Sequence, residues 1–329
     1  MNRICLFAGG AAWLALCGCT LLKPQPAGDV LERVEPDLGG EYYLYKPTNY
    51  SESRRWPLLV LCHSSPWQSP KSVIADWAPL AEEKGLLLLA PKLRSTAAWP
   101  ATMPKQLAIQ EDDEEATLKA LQHVRAGYRV ARDKVFIAGQ KSGCRAAMFI
   151  GLRNPDDFRL VALLQPRFDA LQMAATLDFL DPYQRVMVLV GMGDLAEDQA
   201  DACLKWLRQQ RMTIVEDHTA ARTEKHPERV YRFVRNSMTK HPWIRVKAFG
   251  TDSPMRIRFR ELTSFKEEIY RYEWDFGDGG TAVIARPEHE FAEPGAYTIS
   301  LRVHPDKKAY HDRKIRITVP ANYSLADSD

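Results

Sequence analysis

The sequence predicts a doubly wound, mostly parallel α/β sheet followed by a separate all-β sandwich, and three observations carry that reading. From Glu41 to about Asn236, continuous apolar runs alternate with amphipathic stretches of helical length. Such runs suit strands buried on both faces, and the stretches between them suit helices covering a parallel sheet. After Asn236 the runs shorten, alternate in polarity and are punctuated by Gly and Pro, as antiparallel sandwich strands are. The length of 329 residues fits about two domains, and 45% apolar residues can fill two cores without staples. The formal charge of +3 is small and dispersed, with no basic stripe, which excludes nucleic acid as an expected partner.

The N-terminus reads as a targeting segment rather than part of the fold. Met1-Asn2-Arg3 supplies a positive start, and ICLFAGGAAWLAL, Ile4 to Leu16, is apolar but too short for a comfortable membrane span. Leu16-Cys17-Gly18-Cys19 resembles the bacterial lipobox. The resemblance implies removal of residues 1–18 as a signal peptide, lipid on Cys19 and firm attachment to a membrane. Thr20 after the Cys, in place of an Asp, points to the outer membrane, with the protein facing the periplasm or the exterior. An ordinary secretory peptide is the alternative. Residues 19–40, with Pro- and charge-rich KPQPAGDVLERVEPDLG from Lys23 to Gly39, read as a tether. Of six cysteines, Cys62, Cys144 and Cys203 remain in the folded part. All lie in apolar patterns, so buried free thiols are expected, with a Cys62–Cys144 bridge as the alternative.

The α/β part, residues 41–236, opens with the strand EYYLYKP and the buried strand PLLVLCH, Pro57 to His63. An amphipathic helix, Val73 to Gly85, ends on Gly, and the buried strand LLLLAP follows. Glu111 to Tyr128 is a helix with acids in its first turn, as the helix dipole favours. VFIAG is a strand and SGCRAAMFIGLR a helix. LVALLQ, a helix from Asp169, VMVLVG, a helix near Glu197 to Gln210, TIVED and the helix PERVYRFVRN complete the unit. Residues 237–243, within NSMTKHPW, read as a linker, residues 244–320 as the sandwich and residues 321–329 as a polar tail.

The stretch VFIAGQKSGCRAA, Val135 to Ala147, has the form strand, tight G-x-x-x-G turn, helix. It resembles the nucleophile elbow of the α/β-hydrolase superfamily, nearest its secreted esterase and depolymerase branch. The family pattern is G-x-S-x-G, and here the turn reads Gly139-Gln140-Lys141-Ser142-Gly143. The glycines answer a steric need of the turn, and only the central residue projects above the sheet. In the family that residue is the serine; in this chain it is Lys141. The resemblance also matches His63 to the His of the family's oxyanion loop, with Ser64 in place of a Gly. It matches Asp194 to the acid and His226 to the histidine, with His218 as the competing histidine. The order nucleophile, acid, histidine is thus kept at Lys141, Asp194 and His226.

A lysine in a triad beside Asp194 is stabilised as ammonium, so an internal Lys141–Asp194 ion pair is expected rather than an amine nucleophile. An acyl-lysine amide would not turn over. Ser142 is the alternative nucleophile, but one helical step of about 100° should turn its side chain away from the reacting position. A phosphate loop is excluded, because Val135 stands where G-x-x-x-x-G-K-[ST] needs its first Gly. The His and Cys spacing offers no metal site, and no cofactor is expected.

Tyr272 to Gly279, YEWDFGDG, then PEHEF from Pro287 and PGAYT from Pro294, resemble the polycystic-kidney-disease (PKD) repeat over about Ile244 to Pro320. The resemblance implies an immunoglobulin-like, non-catalytic extracellular module with glycan, polymer or protein as its possible ligand. Trp274 and Phe276 alternate toward one face as core residues, and Asp278-Gly279 makes a hairpin turn with positive φ. The sequence therefore leads to two readings. One is a catalytically degenerate hydrolase acting in binding or scaffolding at the cell surface. The other is an active esterase-type hydrolase using a non-standard nucleophile on an extracellular ester or polymer.

Overall fold

The computed structural model describes residues 27–64, 68–97, 102–191, 196–219, 226–263 and 269–320. Cys19, the N-terminal segment and Asp194 lie outside the described residues. Among the described residues, no helix is long and apolar enough to cross a membrane.

The first unit is an eight-stranded sheet. Its strands are β1 (Asp29–Val34), β2 (Glu41–Lys46), β3 (Trp56–Cys62), β4 (Leu87–Pro91), β5 (Val130–Gln140), β6 (Leu160–Leu164), β7 (Arg185–Gly191) and β8 (Thr213–Thr219). They lie in the order β1-β2-β4-β3-β5-β6-β7-β8. β1 and β2 run antiparallel, β2 is antiparallel to β4, and every pair from β4 to β8 is parallel. Five helices cover the sheet: α1 (Pro70–Lys84), α2 (Met103–Gly127), α3 (Gly143–Arg153), α4 (Ala196–Gln209) and α5 (His226–Lys240). Val73, Trp77, Val230 and Phe233 of α1 and α5 pack on one face. Leu121, Phe149 and Cys203 of α2, α3 and α4 pack on the other. This is the doubly wound arrangement that the buried apolar runs predict.

Three boundaries differ from the sequence reading, each for a physical reason. The tether of residues 19–40 is too long, because β1 within it pairs along its whole length with β2. Its side chains are half-buried or exposed, so it shows none of the apolar periodicity that marks an inner strand. The helix expected from Glu111 begins at Met103, where Pro104 occupies the first turn without cost. The linker of residues 237–243 is helical up to Lys240, since α5 continues through Ser237, whose side chain is buried. The helix expected from Asp169 is a 3-10 helix, Leu171–Phe179. Cys62, Cys144 and Cys203 are free and buried, and the Cys144 thiol donates to the Gly139 carbonyl at 3.1 Å rather than bridging Cys62.

The second unit is a sandwich of a three-stranded and a four-stranded sheet. The first has the order β13 (Glu288–Glu290), β10 (Arg256–Glu261), β9 (Val246–Gly250), and the second β12 (Thr281–Ala282), β11 (Arg271–Asp275), β14 (Gly295–His304), β15 (His311–Val319). All pairings are antiparallel. Phe259, Trp274, Phe276, Phe291, Leu301 and Val303 fill its core. The two units are joined by a partly buried ion pair in which Arg313 Nη1 donates to both carboxylate oxygens of Asp181, at 2.6 and 2.7 Å.

Candidate functional site

The elbow stands between β5 and α3, at the C-terminal edge of the parallel strands, where ligands of open α/β sheets are found. Its glycines are fixed by contact distances. A Cβ on Gly139 would lie 2.4 Å from the Gly143 carbonyl oxygen, and one on Gly143 would lie 2.3 Å from that of Cys62. Neither position accepts a side chain without moving backbone. Lys141 between them has φ 49°, a left-handed conformation strained for any residue with a Cβ. Three backbone hydrogen bonds hold it there. Its N–H donates to Leu164 O at 2.9 Å, and its carbonyl accepts from Cys144 N at 3.1 Å and Arg167 N at 3.2 Å. The side chain of Lys141 is exposed on this perch. Asp194, its expected ion-pair partner, falls outside the described residues.

Ser142 is 1% exposed, and its hydroxyl hydrogen-bonds with Ser64 Oγ at 2.9 Å. The Ser64 N–H, at the place of the oxyanion loop, donates to Gln68 Oε1 at 3.2 Å. His63 is buried and pins the end of β3 to the loop after β4: its Nε2 accepts from Leu93 N at 3.0 Å. Burial pushes the His63 imidazole down to about 4, against a weaker opposing hydrogen bond to the Gln68 backbone. The ring is thus neutral, with its proton on Nδ1.

His226 is the first residue of α5 and is 4% exposed. Neither ring nitrogen has a hydrogen-bond partner among the described residues, so no Ser142–His226 hydrogen bond exists there. Burial first, then the charges of Arg229 and Lys141, hold its pKa below the ordinary value. His218 is exposed on β8, 3.8 Å from Glu216.

Two residues that sequence reasoning passed over shape the site. Arg145 is buried in the first turn of α3, donating to Ala97 O at 2.6 Å and Gln172 Oε1 at 3.5 Å. Burial, then Arg167, hold its guanidinium below its ordinary pKa. A lone charge inside GCRAAMFIGL was the available signal. Asp113 of α2 accepts from the backbone N–H groups of Arg94 and Ser95, at 2.9 and 2.7 Å, and so fixes the loop after β4. It lies fifty residues from β3 in the α2 helical pattern, and no local motif announces it.

The edge above the sheet is therefore cationic, with Lys141 foremost and Arg145 and Arg167 behind it. It can attract an anionic or carbonyl-bearing group. Lys141 holds its foremost point, and the Ser142 hydroxyl is engaged with Ser64 Oγ.

In the second unit, Asp275 and Asp278 serve the turn. Asp275 Oδ1 accepts from Gly277 N at 2.8 Å, and Asp278 Oδ1 accepts from Gly280 N at 2.9 Å. Asp278 Oδ2 lies 2.6 Å from His289 Nε2. Gly277 and Gly279 have φ 79° and 95°.

Residues 247–319 match the profile of the PKD domain family. Collagenase ColA of Bacillus cereus is 31% identical over 61 residues, which are 18% of this chain and 6% of that protein. The chain thus spans a small part of that relative. Among solved structures, a candidate dipeptidyl aminopeptidase IV from Bacteroides ovatus aligns at 12% identity with a TM-score of 0.50, over 64% of this chain and 36% of that one. An S-formylglutathione hydrolase from Staphylococcus aureus aligns at 15% identity with a TM-score of 0.48, over 65% and 98%. At these identities the likeness is one of fold. The first unit shares its fold with the Bacteroides ovatus structure, and residues 247–319 match the PKD domain family.

Proposed function

We propose that this chain is a catalytically degenerate member of the esterase-like α/β hydrolases, anchored by lipid at Cys19 in the cell envelope, most naturally the outer membrane. It acts there by binding or scaffolding. The observation that carries the reading is Lys141 on the strained perch, with the neighbouring hydroxyl of Ser142 buried against Ser64. An ammonium at that point holds a ligand by charge and cannot be acylated and released. The PKD domain, C-terminal to the α/β unit, offers a second surface to glycan, polymer or protein.

The test is turnover on a panel of short acyl esters by the wild type and by Ser142→Ala and His226→Ala. The expected result is no hydrolysis above buffer in any of them. Wild-type turnover that disappears in both variants would overturn the reading in favour of an esterase that uses Ser142. Anchoring is tested separately by labelled palmitate, which should be incorporated by the wild type and not by Cys19→Ala.

A further inference from the structure

At the opposite end of the sheet from the elbow lies a cavity of about 370 Å³ between the two domains. The first residues of β6, β7 and β8 (Leu160, Arg185 and Thr213) form its floor, residues 241–244 one wall, and Tyr310, His311 and Asp312 the other. Strands of five to seven residues separate it from Lys141 by roughly 20 Å.

The chemistry of the lining is one-sided. Arg159 is 5% exposed, and its Nη2 donates to the His241 carbonyl at 2.8 Å. Arg185 Nε donates to Ser237 Oγ at 3.2 Å. Neither guanidinium makes an ion pair with a carboxylate among the described residues; the field of Asp133 reaches Arg159, and burial alone acts on Arg185. The one carboxylate of the lining, Asp312, is already engaged by Arg302 Nε at 2.8 Å and Nη2 at 3.2 Å. His241 is held below its ordinary pKa first by burial, then by Arg185, His311, Lys240 and Arg159, so these basic groups lie within one another's fields. Tyr183, Trp243 and Tyr310 add aromatic surface.

Guanidinium groups withdrawn from water need a counter-charge, and their planar forks suit a carboxylate. The cavity volume fits a single ring, and aromatic walls suit its apolar faces. From this geometry we infer that the interdomain cavity is a binding site for a carboxylated sugar ring, its carboxylate between Arg159 and Arg185 and its ring against Tyr310. The site is independent of the elbow.

The experiment is calorimetric titration of the full chain with glucuronate, with glucose and with inorganic sulfate. Glucuronate should bind at least about tenfold more tightly than either of the others, since one charge-assisted contact is worth about that factor. Arg185→Met should weaken glucuronate about tenfold. Tyr310→Ala, at a side chain 54% exposed, should weaken it severalfold without changing the melting temperature, which guards against a folding defect in the arginine variant. Absence of saturable binding, equal binding of glucose or sulfate, or full affinity in a folded Arg185→Met protein would overturn the inference.

Discussion

The elbow at Gly139–Gly143 and the turn at Asp275–Gly280 both follow a family pattern, but they follow it to different depths. In the PKD turn every patterned residue has a structural task. The two aspartates cap backbone N–H groups, Gly277 and Gly279 take positive φ, and Trp274 Nε1 donates to Ile284 O at 2.8 Å. His289 stacks on Phe276 with ring centroids 4.1 Å apart and holds Asp278. In the elbow only the residues that the backbone requires fit the pattern. The position that would carry chemistry holds a lysine. Steric demands fix a motif's glycines whatever the site does, but they do not specify which side chain the perch carries.

The contrast can be broken or sharpened by substitution. The largest effect is expected in the sandwich, where Trp274→Ala should cost about 4 kcal/mol, the usual cost of emptying a buried aromatic site. Chemical denaturation followed by a probe in the second domain would read it. Gly139→Ala should cost about 3 kcal/mol through overpacking, because its Cβ meets backbone rather than a movable side chain. A loss below about 1 kcal/mol would show that the elbow is looser than its contacts imply.

A pH effect comes next. The folded pKa of His63 is depressed to about 4 from an ordinary 6.5, so the unfolded chain binds more protons between these values. Its contribution is complete above pH 6.5 and is lost as pH falls toward 4. At pH 5.5 the loss is about 1.4 kcal/mol, one pKa unit's worth. His63→Asn should flatten that part of the stability–pH curve, measured by denaturant midpoints. The smallest effect is a gain: Lys141→Gly removes left-handed strain but adds unfolded-state entropy, for a net rise of about 0.5 kcal/mol in stability.

The inner strands β3, β4, β6 and β7 were legible because a strand buried on both faces must be apolar throughout. β1 was hidden because DVLERV lies at the sheet edge with no fully buried residue, which leaves its polarity pattern like that of a linker. The extension of α2 back to Met103 was hidden for a related reason, since MPKQLAIQ carries no acidic first turn or capping side chain. At the site, Gly139, Lys141 and Gly143 could be read from spacing. The Ser142–Ser64 hydrogen bond could not, because it joins residues 78 apart that meet only when β3 and β5 pair. The guanidinium lining of the interdomain cavity is non-local in the same way, with Arg159 and Arg185 drawn from the starts of different strands.

The central claim is that no hydroxyl at the elbow is poised for acylation. The most direct measurement is incubation of the intact protein with a fluorophosphonate probe, followed by mass spectrometry of the peptide spanning Lys141 and Ser142. The account predicts an unmodified mass for the wild type. A phosphonylated Ser142, abolished by His226→Ala, would contradict it.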